Sequence, residues 1–348
     1  MFAYTRNSTI ENANIANNFC GALLFESSNN EVLNNTVTNN ENGISLKQSV
    51  ANSIYGNYVN NNGMSIFLEA SDSSNVTANN ISDNDFGIRI SYSDDVTASR
   101  NTVANNGALG YESSGINLDY SDNATVKGNI IKNNARAISL YKSTSNYLHG
   151  NNITDNEQGI WLDWYSTDNK ISSNIVANND GYGISIQTLS NATIEGNNIV
   201  NNGWGIFLFS FGNMIYHNNF INNTEQAINY HERMKNTWDA GYPSGGNFWS
   251  DYTDSDANGD GIGNTPYVID ADNQDRYPLM RPWNSFVLYG DVNGDGTVNI
   301  LDVILVSKAF GTSQGDLNYD PSSDLNQDGR INILDMILVA KHFGQHIP

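Results

Sequence analysis

Cysteine is nearly absent from this 348-residue chain, with Cys20 its single thiol. That excludes a disulfide framework, a zinc site built on cysteine pairs and an iron–sulfur cluster. Basic residues are scarce too: 16 Lys and Arg stand against 37 Asp and Glu, a formal net charge of −21. Such a balance argues against nucleic acid as a partner and against an anionic membrane surface. No run of eighteen apolar residues occurs, so nothing reads as a membrane span. The opening residues, MFAYTRNSTI, lack the basic-then-apolar profile of a secretory signal.

What is abundant is asparagine, 59 residues of it. Its short amide competes for backbone hydrogen bonds and favours turns over helices. The asparagines are also periodic. Aliphatic positions recur at Ile15, Val37, Val59, Ile81, Val103, Ile131, Ile153, Val176, Ile199 and Phe220, mostly 22 residues apart with one step of 28. Three residues after each stands an asparagine, from Asn18 and Asn40 to Asn202 and Asn223. A second series runs Asn35, Asn57, Asn79, Asn101, Asn129, Asn151, Asn174, Asn197 and Asn218. Each unit adds an apolar pair such as Ile88-x-Ile90 or Ile160-x-Leu162.

Apolar residues two apart, in short pieces stopped by Asn or Gly, are strand periodicity punctuated by turns. Three such pieces cannot form a core alone, but stacked units bury one continuous apolar column. The spacing therefore predicts an all-β fold: a right-handed, single-stranded parallel β-helix of about ten coils over residues 1–236. Inward asparagines would bond their own turns and the amides stacked above and below. These units resemble the parallel β-helix repeats of the NosD-type and carbohydrate-binding/sugar-hydrolase families, over roughly residues 7–236. The NosD resemblance implies a part in copper maturation. One Cys, five His and six Met scattered along the chain give no copper site to carry over.

Residues 237–286 read as a cap. Trp238, Phe248 and Trp249 suit a lid over the open solenoid end, and a sugar-stacking platform is the sharper alternative. Asp254, Asp256, Asn258 and Asp260 alternate with small residues like a partial calcium loop without its twelfth-position acid.

Residues 287–348 contain a duplication. GDVNGDGTVNILDVILVSKAFG and SDLNQDGRINILDMILVAKHFG lie 33 residues apart and agree at 14 of 22 positions. Each opens with oxygen donors at calcium-loop spacing. The first set is Asp291, Asn293, Asp295, Thr297, Asn299 and Asp302; the second is Asp324, Asn326, Asp328, Arg330, Asn332 and Asp335. Gly296 and Gly329 make the sharp turns. A short helix follows each loop, with Ile304, Leu305 and Phe310, or Ile337, Leu338 and Phe343, expected as its apolar face. No helix precedes either loop, and calcium should be needed for folding. The pair looks like a dockerin domain, which implies two bound calcium ions and a cohesin-type partner or cell-surface scaffold. It departs from the pattern at Ile300-Leu301 and Ile333-Leu334, where many dockerins place Ser or Thr for cohesin contact. Lys308 and Lys341 are further candidate contacts.

Function on a solenoid sits on outward positions. The column after the third strand's inward residue reads Phe25, Lys47, Glu69, Ser91, Asp119, Tyr141, Asp163, Gln187, Phe209 and His231. Asp119 and Asp163, two coils apart, would stand roughly 9–10 Å from each other, near the separation of an inverting carboxylate pair. Tyr141, Trp161, Trp164, Tyr165, Phe207 and Phe209 are the candidate carbohydrate contacts. The 28-residue unit adds about six residues around 107–114, where a loop could overhang a groove. Arg89, Arg100 and Arg136 are not expected to share a face with an acidic cluster.

The sequence thus predicts an extracellular or cell-surface calcium-binding solenoid that recognises or presents a glycan and is tethered through its C-terminal module. The rivals are a polysaccharide lyase or glycoside hydrolase using Asp119 and Asp163, and a non-catalytic envelope component.

Overall fold

The computed structural model describes residues 2–107, 113–187, 190–231, 233–283, 290, 292, 297–314, 316, 318–320, 323–326 and 328–345. It divides into two compact units, Met1–Trp283 and Asn284–Pro348.

The first unit is a right-handed parallel β-solenoid of ten coils with three sheets of 11, 10 and 11 strands. One coil, for example, runs Asn75–Thr77, Asn80–Ser82 and Phe86–Ser91. Strands pair with their counterparts one coil away, as in Ile81↔Val103 and Ile88↔Ile116. The inward residues form columns of fully buried Ile, Val and Leu, including Val37, Val59, Ile81, Val103 and Ile131. At about 4.8 Å per coil the stack is about 45–50 Å long.

The six-residue strands of the longest rungs make one sheet, hereafter the broad face. In Phe86-Gly87-Ile88-Arg89-Ile90-Ser91, Ile88 and Ile90 are buried inward. Gly87 is buried too, and at the equivalent Gly115 and Gly43 an added Cβ would meet the core side chains of Ile131 at 2.9 Å and Val59 at 3.1 Å, so this position also faces the interior. Two successive inward residues bend the strand, so its first residue emerges on the outer surface. The broad face therefore carries three outward columns, at positions 86, 89 and 91 of this coil, where strict alternation would have put the first at 87.

Asparagine ladders close the turns. The Asn79 backbone N–H and Nδ2 both donate to Asn101 Oδ1, at 2.9 and 3.0 Å, and Nδ2 also donates back to the Ile54 carbonyl at 3.0 Å. The same pattern repeats from Asn35 to Asn218 and from Asn18 to Asn223. A serine ladder, from Ser27 through Ser49, Ser71 and Ser93 to Ser143, does the same work at another turn. Many turn residues have φ near +55°, among them Asn34, Asn39, Asn61 and Asn105. Asparagine tolerates that left-handed backbone well, which, with the ladders, accounts for its abundance.

The cap continues the columns. Trp249 pairs in register with Phe220 and stacks on it at 4.4 Å, with Tyr267 stacked beyond at 4.1 Å. Trp238 and Trp249 are each 1% exposed. They are the lid of the core, and the platform reading of these two tryptophans falls for want of an accessible ring.

In the second unit, α1 (Ile300–Ala309) and α2 (Ile333–His342) each start at an asparagine N-cap, Asn299 or Asn332, whose backbone N–H donates in return to the carboxylate of Asp302 or Asp335 three residues on. Val298, Val306, Ala309, Ile331 and Val339 form its small core. The expected apolar faces are corrected here: Ile304, Phe310, Ile337 and Phe343 are exposed, and Val306 and Val339 point inward.

Candidate functional site

The middle column of the broad face runs Phe67, Arg89, Asn117, Ser139, Trp161 in register on successive coils. Asn117 and Ser139 are short, and longer side chains flank them on both sides. The result is a groove of about 290 Å³, floored by these two and walled by Phe86, Arg89, Asp119, Arg136, Tyr141 and Asp163. Asp119, Tyr141 and Asp163 succeed one another in the next column, as their spacing implied.

Charges are fixed around the groove. Arg89 Nη2 donates to Asp119 Oδ2 at 2.9 Å and lies against the Phe67 ring, 5.9 Å from its centre. The Arg136 guanidinium stacks over Trp161 at 4.4 Å. Asp163 Oδ1 accepts from the Trp164 backbone N–H at 2.8 Å. The expectation about arginines is therefore overturned: Arg89 and Arg136 share the groove with both candidate carboxylates. Arg136 does so because the strand bend turns first positions outward. Arg100 sits on a turn after the strand Thr97–Ser99, as expected away from this face.

Several buried polar atoms here have no hydrogen-bond partner among the described residues: Arg89 Nε, Ser91 Oγ, Ser114 Oγ, Asn117 Oδ1 and Trp161 Nε1. A protein ordinarily satisfies such groups internally, so a cluster of them on one face marks a place where a ligand or water completes the bonding.

Aromatic side chains continue from one end of the groove. Trp161, Tyr182 and Phe207 lie 5.9 and 4.9 Å apart in sequence, and Trp204 packs on Tyr182 at 5.0 Å. Phe209 meets Tyr230 edge-on at 5.2 Å. Tyr230 takes the column place assigned to His231, since the last coil is one residue shorter. Tyr92 stacks on Tyr120 at 4.9 Å along the adjoining turn. Lys142 donates to the Tyr120 hydroxyl at 3.0 Å, a bond that raises its pKa above the ordinary lysine value. Trp164 and Tyr165 are exposed on the next turn. The structure thus gathers Asp119, Tyr141, Trp161 and Asp163 at the groove, and sets Phe207 and Phe209 two coils beyond Trp161. Phe86, Arg136, Tyr182, Trp204 and Tyr230 join the face without having been singled out by spacing. Of residues 107–114, those from 108 to 112 lie outside the described residues, as does any overhang there.

The calcium-type loops differ in what is described. Asp291, Asn293 and Asp295 lie outside the described residues. Of that set, Thr297 carbonyl accepts from Asn299 Nδ2, and fully buried Asp302 accepts from the backbone of Asn299 and Val292. In the second loop Gly329 has φ +78°. Asp324 accepts from Gly329, Asn326 from Asp328, and Asp328 from the Arg330 backbone. Asp335, fully buried, accepts from Asn332 and Leu325. This all-oxygen donor set, folded round a left-handed glycine, fits a hard cation. In the cap, Asp256, Asn258 and Asp260 share one tight turn, whereas Asp254 turns to Thr265 Oγ1 at 2.6 Å. Among the described residues no three His, Cys, Asp or Glu side chains already converge as a metal cluster. His149 faces Ser172, His217 stacks on Trp283, and Cys20 is half-buried on the first coil.

Comparison with known proteins agrees with this architecture. The right handed beta helix region matches residues 2–153, and the family described as periplasmic copper-binding protein (NosD) matches residues 90–254. The dockerin type I domain matches residues 289–344. No curated protein matches the chain. Among solved structures, the A-module of mannuronan C-5 epimerase AlgE4 from Azotobacter vinelandii is 17% identical, with 68% of this chain and 75% of that one covered at a TM-score of 0.55. The AlgE6 A-module of the same organism is 13% identical over 67% and 64%, with a TM-score of 0.44. The Dettilon tailspike protein is 12% identical over 63% and 59%, with a TM-score of 0.43. The AlgE4 likeness concerns the fold alone.

Proposed function

We propose that this dockerin-bearing β-helix protein is an extracellular or cell-surface glycan-recognition rod, tethered through its C-terminal module to a cohesin-type partner. The observation that carries the reading is the broad-face groove. Short side chains open it, arginines stacked on aromatic rings wall it, and two of its lining residues, Arg89 and Asn117, carry buried polar atoms without partners among the described residues. Sugars present hydroxyls for the polar side chains of the groove and apolar ring faces for the aromatic residues that continue from its end. One fold neighbour, the AlgE4 A-module, is by its name a mannuronan epimerase, which accords with this use of the fold.

Calcium belongs to the tether. Asp324, Asn326, Asp328, Asp335 and the Arg330 carbonyl would hold one ion in the second loop, with the matching residues of the first loop holding another. Asp256, Asn258 and Asp260 form a lesser candidate in the cap. Calcium would neutralise the loop carboxylates and draw them together. The ion is structural, and no chemical step passes through it.

A second reading is favoured by one relation, the placement of Asp119 and Asp163 two rungs apart with Tyr141 between them. In it the same groove belongs to a polysaccharide lyase or hydrolase. The test is a panel of plant, algal and microbial polysaccharides in millimolar calcium, following binding together with reducing ends and unsaturated uronates. Retention without product supports recognition. Product from any polymer makes the enzyme reading the correct one. Neither binding nor product across the panel removes both.

A further inference from the structure

The solenoid strands contain only two arginines in their described sequences, Arg89 and Arg136. Both wall the same groove. In a chain with 16 basic against 37 acidic residues, two guanidinium groups in one small concavity stand against the prevailing charge. Neither is an ordinary solvated surface cation. Arg136 is laid over the Trp161 ring, and Arg89 is braced by Phe67 and tied to Asp119. Lys142, held between Tyr120 and Tyr141, adds a third cation on the adjoining turn.

From this we infer that the glycan taken by the groove is anionic, carrying a carboxylate or sulfate that Arg136 and Arg89 recognise. The inference rests on the glycan reading above and narrows it. A guanidinium offers a planar fork of donors that matches an oxyanion, and it gains strength where an aromatic ring displaces water from one side. The two arginines belong to coils two apart, so about 9.6 Å separates them along the axis. A pyranose in an extended chain is about as long as one coil is high. A polymer lying along the axis would therefore bring charged groups on alternate sugars past both arginines. The carboxylates of Asp119 and Asp163 set a limit, since a densely charged polymer would have to pass them too. Arg89 offsets Asp119 directly.

The experiment uses the full chain in millimolar calcium with three polymers: a polyuronate, the same polymer after carboxyl reduction, and a glucan whose only charge is sulfate. Affinity is read by calorimetry at two salt concentrations. The expected result is at least tenfold tighter binding of a charged polymer than of the reduced one, weakening as salt rises. Whichever charged polymer binds identifies the group. Arg136→Gln should abolish the preference, and Arg136→Lys should restore part of it while thermal unfolding stays unchanged in both. Equal binding of charged and reduced polymers would overturn the anionic assignment and leave glycan recognition standing. Binding to none would overturn both. A preference unaltered in Arg136→Gln and in Arg89→Gln would show that these arginines are not its source.

Discussion

Arg89 reaches across to the next coil and closes on Asp119 at 2.9 Å, so the groove's first carboxylate is already committed to a cation. A binder and an enzyme respond to its loss in opposite ways. In Asp119→Asn the arginine is released and one negative charge leaves the groove. Affinity for an anionic glycan should then rise about three- to tenfold, on the order of 1 kcal/mol. An enzyme relying on Asp119 would instead lose turnover by orders of magnitude. Calorimetry and product assays on this variant and on Asp163→Asn separate the two cases.

Calcium removal should act on one unit only. The helices Ile300–Ala309 and Ile333–His342 rest on a core of a few residues, and the carboxylates of their loops repel one another without a cation. Excess EDTA should abolish the helical circular dichroism and leave the β signal of the solenoid. Retained helix in EDTA would argue against a calcium-dependent fold. Asp335→Ala should mimic chelation for the second loop.

Asn129 sits in the middle of a ladder. It accepts from both the backbone and the side-chain amide of Asn101, and donates to the Ala98 carbonyl and Asn151 Oδ1. Truncation to alanine strands several buried groups, each costing about 1–3 kcal/mol. Asn129→Ala should lose at least about 3 kcal/mol in urea unfolding. The control is Asn18→Ala on the exposed first coil, where the change should stay within about 0.5 kcal/mol.

The cap should respond to pH through Asp275. Burial pushes its carboxyl pKa up to about 6, although Asn247, Trp249 and Tyr277 donate hydrogen bonds to it. The folded protein thus holds this proton more tightly than the unfolded chain, whose value is near 3.8. The resulting stabilisation is fully present below about pH 4 and is lost as pH rises through 6. The gap between the folded and unfolded values corresponds to about 3 kcal/mol. The difference in stability between Asp275→Asn and the parent, measured from pH 4 to 6, should show this slope. No difference in slope would place the titration elsewhere.

The columns Val37–Val59–Ile81–Val103 and both long asparagine ladders were legible because a solenoid converts sequence period directly into spatial stacking. The groove was half legible. Asp119, Tyr141 and Asp163 share a column that counting by coils recovers. Arg136 does not, because it leaves a strand at a bend that alternation ignores, and that bend depends on two inward neighbours in succession. The serine ladder was hidden by serine's ordinary frequency on surfaces. Tyr230 was displaced from its counted place by a single-residue shortening of the last coil.

The bonds between one ladder side chain and the next all run one way. Each Nδ2 donates toward the cap, from Asn35 and Asn57 up to Asn218, Asn247 and finally the Asp275 carboxylate. The neighbouring ladder ends similarly, with Asn223 donating to Gln226 Oε1. Each coil receives from the one before it and gives to the one after, and the terminator is an acceptor that needs nothing beyond it. A duplicated coil inserted anywhere in the stack would find its bonding partners in place. The length of this rod is therefore a variable that gene duplication can change one turn at a time, under the same lid.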